Sequence, residues 1–288
     1  MNEQKRKENM SCEDINIGNK SWWIRNVMSY DWHNEIKIER YSLDWFNEID
    51  KAHIYSARLF ATDKIPFDRI IPLDRLKNKK ILEIGCGMGL HTETMVRAGA
   101  DVTSIDLTET AVEATKRRLE LKGLNAHILQ ANAEEMLFDS GSFDFVWSWG
   151  VIHHSACTTR IVREIARVLV PKGECRVMVY NRIGTSARLC YLRYHLIGGG
   201  VFRRSFEETL WANTDGFSAR YYIKDQFEDI FRGFFKEVNS EVCGQDVDVI
   251  PLPRQARKIV LGYVSDTYLR KRQTIRGGFI FLKAAYPF

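Results

Sequence analysis

An apolar run that breaks into alternating glycines constrains this chain more than any other feature. Residues 80–84 are typical of a buried strand, and Gly85-Cys86-Gly87-Met88-Gly89 lead from it into a helix-compatible segment over 90–98. Glycines at such a turn let the backbone approach a ligand closely, because a Cβ would stand in the way. The next strand-like run, over 102–105, ends in Asp106, which is suited to accept hydrogen bonds from ribose hydroxyls. These features predict a binding site for a cofactor that contains a nucleoside.

The rest of the chain alternates between strand-like and helix-like patterns. Strands are predicted over 80–84, 101–105, 126–130, 143–147, 174–180, 236–243 and 278–285, with helices over 90–98, 108–122 and 157–169. Repeated β–α alternation indicates a parallel sheet with helices on both of its faces. We therefore predict an α/β protein with a Rossmann-like, seven-stranded, mostly parallel sheet, an N-terminal helical arm and a lid insertion.

Shifts in composition divide the chain into five regions. They are a flexible tail (1–20), an N-terminal helical arm or lid (21–77), a cofactor-binding core (78–182), a lid insertion over the substrate site (183–223) and the C-terminal part of the sheet (224–288). The last region includes a basic insertion over 245–276. A solvated helix face is the favoured interpretation of its arginines and lysines, and binding to a membrane surface or an acidic partner is the alternative.

Composition and charge narrow the function classes only slightly. The 288 residues carry a formal net charge of +5, which is compatible with a nucleic-acid or membrane-surface contact but hardly argues for one. The chain has no apolar run of the roughly 18 residues that a transmembrane helix needs. Its first nine residues are too polar for a signal-peptide core, so we expect a cytoplasmic location.

Several chemistries are disfavoured by missing patterns. The six cysteines are scattered without a C-x-x-C pair, which indicates free thiols and no zinc or redox motif. No convincing cluster of acids predicts a metal site. Nucleic-acid substrates are disfavoured because Ser148-Trp149-Gly150-Val151 stands where enzymes that methylate amino groups of bases carry [D/N]-P-P-[Y/F/W].

The spacing of the glycines distinguishes between nucleoside cofactors. The dinucleotide fingerprint G-x-G-x-x-G has a third glycine for tight packing of helix against strand, and here Leu90 occupies that place. Glu83 also precedes the glycines, and its carboxylate would repel a diphosphate but attract an ammonium group. A cofactor with ribose, adenine and a positively charged end is therefore favoured, and S-adenosylmethionine has all three.

Further motifs follow the glycine turn in a recognisable order. They are Asp106 at a strand end, Asn132-Ala133-Glu134, Phe143-Asp144-Phe145-Val146 running into Trp149-Gly150-Val151-Ile152-His153-His154, and Leu169-Val170-Pro171-Lys172-Gly173-Glu174. With these motifs the chain resembles the class I S-adenosylmethionine-dependent methyltransferases, especially the small-molecule branch that includes quinone-biosynthesis enzymes. The chain departs from the family pattern at Asn132, where family members commonly carry an acid that accepts the adenine amino hydrogen. An amide oxygen can accept the same bond.

The resemblance implies a role for each matching residue. The backbone of Gly85, Cys86, Gly87 and Gly89 would line the methionine and ribose portions of S-adenosylmethionine, with Glu83 beneath them. Asp106 would accept both ribose hydroxyls, Leu107 would flank the adenine, Asn132, Ala133 and Glu134 would lie at its edge, and Trp149 and Gly150 would lie near the sulfonium. S-adenosyl-L-homocysteine would be the product.

Two histidines after the fourth strand are the candidate catalytic residues. His153 and His154 lie where open α/β sheets bind ligands, and the ordinary pKa of histidine suits removal of a proton at neutral pH. A hydrogen-bonded structural role is the alternative for each. Weaker candidates for the substrate side are Tyr30, Arg220, Tyr221 and Tyr222.

Three function classes remain open at this point. The favoured one is a methyltransferase acting on a hydroxyl or amine of a small molecule. The others are a nicotinamide-dependent oxidoreductase on a similar sheet and a methyltransferase-like protein that binds cofactor and acts through a partner. No pattern in the sequence identifies the acceptor or the oligomeric state.

Overall fold

The computed structural model describes residues 10–29, 35–62 and 65–288, and its centre is one sheet of eight strands. The strands are β1 (Lys80–Ile84), β2 (Asp101–Asp106), β3 (His127–Gln130), β4 (Phe143–Trp149), β5 (Leu169–Asn181), β6 (Tyr221–Tyr222), β7 (Phe235–Cys243) and β8 (Phe279–Pro287). Their order is β3-β2-β1-β4-β5-β8-β7, with β6 paired to the end of β5. β8 is antiparallel to β5 and β7, and the other pairs are parallel.

Helices flank this sheet. They are α1 (Cys12–Arg25), α2 (Leu43–Ser56), α3 (Leu90–Arg97), α4 (Glu109–Leu121), α5 (Thr158–Val168), α6 (Thr185–Cys190), α7 (Phe206–Ala212), α8 (Lys224–Arg232), α9 (Asp246–Val249), α10 (Arg254–Leu261) and α11 (Asp266–Arg276). A π-helix, Tyr191–Ile197, continues α6. Over the described ranges, no helix is both long and apolar enough to cross a membrane.

The predicted α/β class, with a mostly parallel Rossmann-like sheet, is confirmed. The predicted number of seven strands is one too low, because Tyr221–Tyr222 pairs with β5 as a strand of two residues. Two residues are too few to produce a period of alternation in a sequence.

The prediction of a flexible tail over residues 1–20 is wrong for its second half, since α1 begins at Cys12. Ser11 and Asp14 form a capping box. The backbone N–H of Asp14 donates to Ser11 Oγ at 3.1 Å, and the backbone N–H of Ser11 donates to the Asp14 carboxylate at 3.1 Å. These bonds satisfy amides that a helix start otherwise leaves unpaired.

β1 lies within the sheet and is buried on both faces. Leu82 and Ile84 pack in one apolar cluster with residues of α5 and α8, whereas Ile81 packs in a second cluster with Met95 and Trp147. A strand covered on both faces needs a continuous apolar sequence, which is why residues 81–84 interrupt their hydrophobic run only at Glu83.

A buried arginine joins the N-terminal arm to the helices behind the glycine turn. Arg118 of α4 is fully buried and donates from Nε to Glu93 of α3 at 2.7 Å and from Nη1 to Asp50 of α2 at 2.9 Å. Its Nη1 also donates to the carbonyl oxygen of Met88 at 3.3 Å. Lys122 adds a second cation at 2.9 Å from Glu93. The network thus links α2, α3 and α4 to one another and to the glycine turn at Met88.

Replacing this arginine should destabilise the fold strongly. In Arg118→Ala, Asp50 and Glu93 lose a buried partner, and breaking a buried ion pair costs about 3–5 kcal/mol. Urea unfolding of the wild type and the variant measures the change in free energy. The matched control is Arg117→Ala, since Arg117 forms an exposed pair with Glu120 whose removal should cost less than about 1 kcal/mol. Equal effects of the two substitutions would contradict this account.

Candidate active site

The glycine turn stands at the edge where three strands end together. Ile84 of β1 pairs in register with Ile105 of β2 and with Ser148 of β4. The backbone amides of Gly85 and Cys86 both donate to the carbonyl oxygen of Ile105, at 2.7 and 3.2 Å. The turn is therefore tied to the neighbouring strand and not only to its own.

Two of the glycines are required for different reasons. Gly85 has a φ of +85°, and a Cβ at this position would lie 2.2 Å from Cγ2 of Val151, so packing excludes any side chain. Gly87 has a φ of +53°, and no described atom lies within 4 Å of its ideal Cβ position. Because Gly87 also lines the adjoining cavity, that open space is available for close approach of a ligand to the backbone.

A cavity of about 350 Å³ opens above this edge and collects most of the predicted site residues. The predicted residues that line it are Gly85, Cys86, Gly87, Asp106, Leu107, Asn132, Ala133, Glu134, Trp149, Gly150 and His154. Their individual roles stay predictions. Their convergence follows from the register of parallel strands, since the carboxyl ends of β1, β2, β3 and β4 meet at one edge.

Glu83 and Gly89 lie behind the cavity lining. The buried carboxylate of Glu83 accepts hydrogen bonds from Ser104 Oγ at 2.7 Å and from Thr92 Oγ1. Burial raises the pKa of Glu83 to about 7, although the two hydroxyl donors oppose that rise. Gly89 has a φ of +77° at the start of α3, where a Cβ would lie 3.0 Å from Thr115 Cγ2. It permits close packing of α3 on α4.

The buried carboxyl of Glu83 should make stability depend on pH. Its pKa rises from an ordinary 4.5 to about 7 in the folded protein, so between these pH values the folded state binds a proton that the unfolded chain has released. The contribution of Glu83 to stability is then fully present below about pH 4.5 and is lost as the pH rises through 7.

The variant Glu83→Gln isolates this effect, because an amide oxygen can accept the same bonds without ionising. Between about pH 4.5 and 8 the wild type should lose on the order of 3 kcal/mol relative to the variant. Urea unfolding across a pH series measures the difference. Glu113→Gln, at an exposed position of α4, is the control. Parallel curves of stability against pH for the wild type and Glu83→Gln would refute the prediction.

Asp106 and the loop after β3 continue the cavity wall beside the turn. Asp106 accepts hydrogen bonds from the amide and hydroxyl of Thr108, both at 2.9 Å, and from the amide of Gly87 at 3.3 Å. A carboxylate has about four acceptor positions, so capacity remains for a ligand. Burial raises the pKa of Asp106. In the loop, Asn132 Oδ1 accepts from the amide of Glu134 at 2.9 Å, and Glu134 accepts from the amide of Cys157 at 3.0 Å.

The two candidate histidines occupy different environments. His154 lines the cavity, and its Nδ1 lies 2.7 Å from the carbonyl oxygen of Ser218. Since a carbonyl oxygen can only accept, Nδ1 carries the proton and Nε2 is left as an acceptor. That Nε2 is buried with no hydrogen-bond partner among the described residues. Burial lowers the pKa of His154, although the Asp215 charge and the bond to Ser218 oppose the shift.

His153 is turned away from the cavity lining. It is fully buried, with its ring 4.0 Å from the ring of Tyr180. Neither ring nitrogen has a hydrogen-bond partner in the part of the chain that the structure describes. Burial holds the pKa of His153 well below its ordinary value. The imidazole is therefore neutral at physiological pH and packs as an aromatic side chain.

One asparagine of the N-terminal helix holds the His154 region together. Asn19 Nδ2 donates to the backbone oxygen of His154, and Asn19 Oδ1 accepts from the amide of Ser218 at 3.1 Å. Trp23 packs edge-on to His154 with 5.1 Å between ring centroids. At Gly216, which has a φ of +88°, a Cβ would lie 2.5 Å from His154 Nδ1. The sequence carries no signal for these long-range contacts.

The predicted substrate residues are occupied elsewhere. Arg220 donates to the backbone oxygens of Ser155 and Ala156, Tyr221 donates to Thr214 at 3.0 Å, and Tyr222 donates to Thr158 at 2.8 Å. None of these three is part of the cavity lining found among the described residues. Tyr30 lies outside the described residues.

Aromatic and histidine side chains that sequence reasoning did not single out also line the cavity. They are His53, His91, Tyr180 and Phe279. Trp147 Nε1 donates to His91 Nδ1 at 3.2 Å, and burial lowers the pKa of His91 to about 3. Only the position of His91, two residues after the glycine turn, could have drawn attention to it. Within the described ranges, no three His, Cys, Asp or Glu side chains are grouped to hold a metal ion.

Comparison with known proteins identifies a methyltransferase domain. Residues 82–177 match the family model described as a methyltransferase domain. The chain is 26% identical over 190 residues to a ubiquinone biosynthesis O-methyltransferase of Coxiella burnetii, a match covering 62% of this chain and 79% of that protein. Over its matched core the chain is a class I S-adenosylmethionine-dependent methyltransferase. A second relative, the enzyme of the same description from Bartonella bacilliformis, is 31% identical over 137 residues, or 48% of this methyltransferase and 54% of the relative.

Solved structures resemble this methyltransferase over most of its length. An S-adenosylmethionine-dependent methyltransferase from Thermotoga maritima aligns with a TM-score of 0.52 and 16% identity, covering 84% of this chain and 97% of the other. A Haemonchus contortus phosphoethanolamine N-methyltransferase, bound to phosphomonomethylethanolamine and S-adenosylhomocysteine, aligns with a TM-score of 0.51 and 19% identity, covering 88% and 61%. At these identities the likeness shows the fold alone.

Proposed function

We propose that this methyltransferase holds S-adenosylmethionine in the cavity and transfers its methyl group to a hydroxyl or amine of a small molecule, leaving S-adenosylhomocysteine. The observation that carries the proposal is the shared lining. One cavity is lined by the glycine turn, by Asp106 and by His154, whose Nδ1 is held by the carbonyl oxygen of Ser218. Such a site can hold a nucleoside beside a group that removes a proton.

The residues present fit this cofactor. Gly87 leaves open space where its Cβ would stand, and Asp106 retains acceptor capacity for ribose hydroxyls. The loop from Asn132 to Glu134 would hold the adenine edge, and Trp149 with Gly150 would lie near the reacting end. Glu83 would act from beneath the turn, through its field, because its carboxylate is already bonded to Thr92 and Ser104.

When bound, the cofactor supplies an electrophilic methyl group on a sulfonium. For an in-line displacement, the protein must align the acceptor and remove its proton. His154 is placed for the second task, because the carbonyl of Ser218 holds Nδ1 protonated and leaves Nε2 as the base. We assign His153 a structural role against Tyr180.

The acceptor is proposed to be an apolar molecule that carries a hydroxyl. Much of the remaining lining is apolar or aromatic, namely Trp23, Val27, Met28, Met178, Tyr180 and Phe279. A hydroxyl is favoured over an amine because the relatives are named as O-methyltransferases of ubiquinone biosynthesis. Helix α1 and the segment around Ser218, which meet at Asn19, would screen this acceptor from water. The cytoplasmic location stays a prediction.

Substitution of Asp106 tests the cofactor half of the proposal. Asp106→Ala removes the acceptor of the ribose bonds, and losing hydrogen bonds to a charged group should raise the Kd for S-adenosylhomocysteine at least about tenfold. Isothermal titration calorimetry measures that Kd. Asp101→Ala, at the exposed start of the same strand, is the control and should bind like the wild type. Unchanged affinity of Asp106→Ala, or tighter binding of NADH than of S-adenosylhomocysteine, would contradict the assignment.

Substitution of His154 tests the base. Incubation of the wild type with cofactor and a panel of phenols and catechols should give S-adenosylhomocysteine and a product heavier by about 14 daltons. His154→Ala should lower kcat by about 10²–10⁴-fold while leaving cofactor affinity near that of the wild type.

The pH profile separates a base from a packing residue. Because the pKa of His154 lies below 6.5, the wild-type rate should be level above that pH and fall at lower pH. His154→Ala should lose this fall, whereas the neighbouring control His153→Ala should retain it even if less stable. A His154→Ala enzyme with wild-type turnover and pH profile would rule out His154. Tight cofactor binding without turnover on any acceptor would instead favour a protein that acts through a partner.

A further inference from the structure

The segment that follows β5 exposes apolar side chains on a fixed scaffold. We call residues 188–204 the apolar platform; they comprise the end of α6, the π-helix, a glycine turn and a short 3₁₀-helix. Exposed apolar residues are Leu189 (43%), Leu192 (49%), Leu196 (44%), Ile197 (78%), Val201 (47%) and Phe202 (89%). Soluble domains expose single apolar residues often, but a contiguous set of this kind marks an interaction surface.

The platform is held against the neighbouring helix α7 by its less exposed residues. His195 is buried, and its Nδ1 lies 2.9 Å from Thr209 Oγ1 of α7. Tyr191 packs edge-on to Phe206 at 5.0 Å between ring centroids. The turn at residues 198–200 is also tightly packed, since a Cβ at Gly200 would lie 2.6 Å from the carbonyl oxygen of Tyr194. The exposed leucines and Phe202 therefore sit on packed backbone.

The charge of the platform indicates its partner. Between residues 181 and 206 the sequence holds five arginines and no aspartate or glutamate. Arg182 pairs with Glu207 of α7. The other four are Arg188, Arg193, Arg203 and Arg204, and none of them forms an ion pair with a residue in 10–29, 35–62 or 65–288. Apolar side chains beside unpaired arginines suit a surface that is apolar within and anionic at its boundary.

We propose that the apolar platform docks this methyltransferase onto a bilayer of anionic phospholipid. Leu192, Leu196, Ile197 and Phe202 would enter the boundary between headgroups and acyl chains, while the arginines reach the phosphates. A second copy fits less well, because a two-fold contact would bring the unpaired arginines of both copies together without an acid to separate them. β5 ends at Asn181, seven residues before the platform begins, and its Tyr180 lines the cavity.

Vesicle sedimentation with the full-length protein tests the proposal. The wild type should sediment with vesicles of phosphatidylcholine containing about 30% phosphatidylglycerol, and much less with phosphatidylcholine alone. Raising NaCl from about 0.05 to about 0.5 M should weaken binding, because it screens the arginines. Leu192→Asp combined with Ile197→Asp should reduce the bound fraction at least tenfold, and Arg188→Gln combined with Arg193→Gln should reduce it severalfold.

The control is Leu137→Asp, at an apolar residue that is 95% exposed outside the platform and should leave binding unchanged. Thermal unfolding and S-adenosylhomocysteine affinity of each variant show that the fold and the cofactor site persist, so the test is independent of methyl transfer. Failure of the wild type to sediment with anionic vesicles would overturn the proposal. Equal binding by the wild type and by Leu192→Asp/Ile197→Asp would also overturn it. A third contradicting result would be a wild-type dimer, detected by light scattering, that does not bind vesicles and that these substitutions dissociate.

Discussion

Parallel pairing of β1 with β2 on one side and β4 on the other is the constraint on which the site depends. It sets Ile84 level with Ile105 and Ser148, so three separate stretches of chain turn at one edge of the sheet. Burial of β1 on both faces holds that register, because a slip of one residue would turn Glu83 into an apolar cluster. The glycine turn, Asp106 and Trp149 then meet around one cavity.

The parts of the site that could be predicted from sequence are those whose position follows from a strand end. Asp106, the Asn132–Glu134 loop and Trp149 each come directly after an apolar run, and the alternation of strands and helices brings those run ends together. Gly85 and Gly87 were recognisable because a strand followed by spaced glycines has few structural uses. Glu83 was expected beneath the turn, and its hydroxyl partners, Thr92 on α3 and Ser104 on β2, were not foreseeable from spacing.

The acceptor side could not be predicted, because its contacts join residues remote in sequence. Asn19 reaches His154 and Ser218 across 135 and 199 positions, and neither pairing leaves a periodic or local trace. Arg220, Tyr221 and Tyr222 were plausible as substrate residues by type, yet each satisfies its polar group on a nearby backbone oxygen or hydroxyl. Helix α1 was also missed from the sequence, because its start depends on the Ser11 cap and not on amphipathic spacing.

The two hydrogen bonds of Asn19 also bear on how readily the cavity wall opens locally. Regions that depend on a few long-range contacts open more readily than a central sheet, and amide hydrogen exchange reports such openings. The amide of Ser218 donates a hydrogen bond to Asn19 and should therefore exchange with solvent sooner than the amides of β1. Release of those two bonds would free α1 from the backbone of His154, the residue proposed as the base. Under that proposal, entry of the acceptor and escape of the product would depend on the lifetime of contacts made by a single amide side chain.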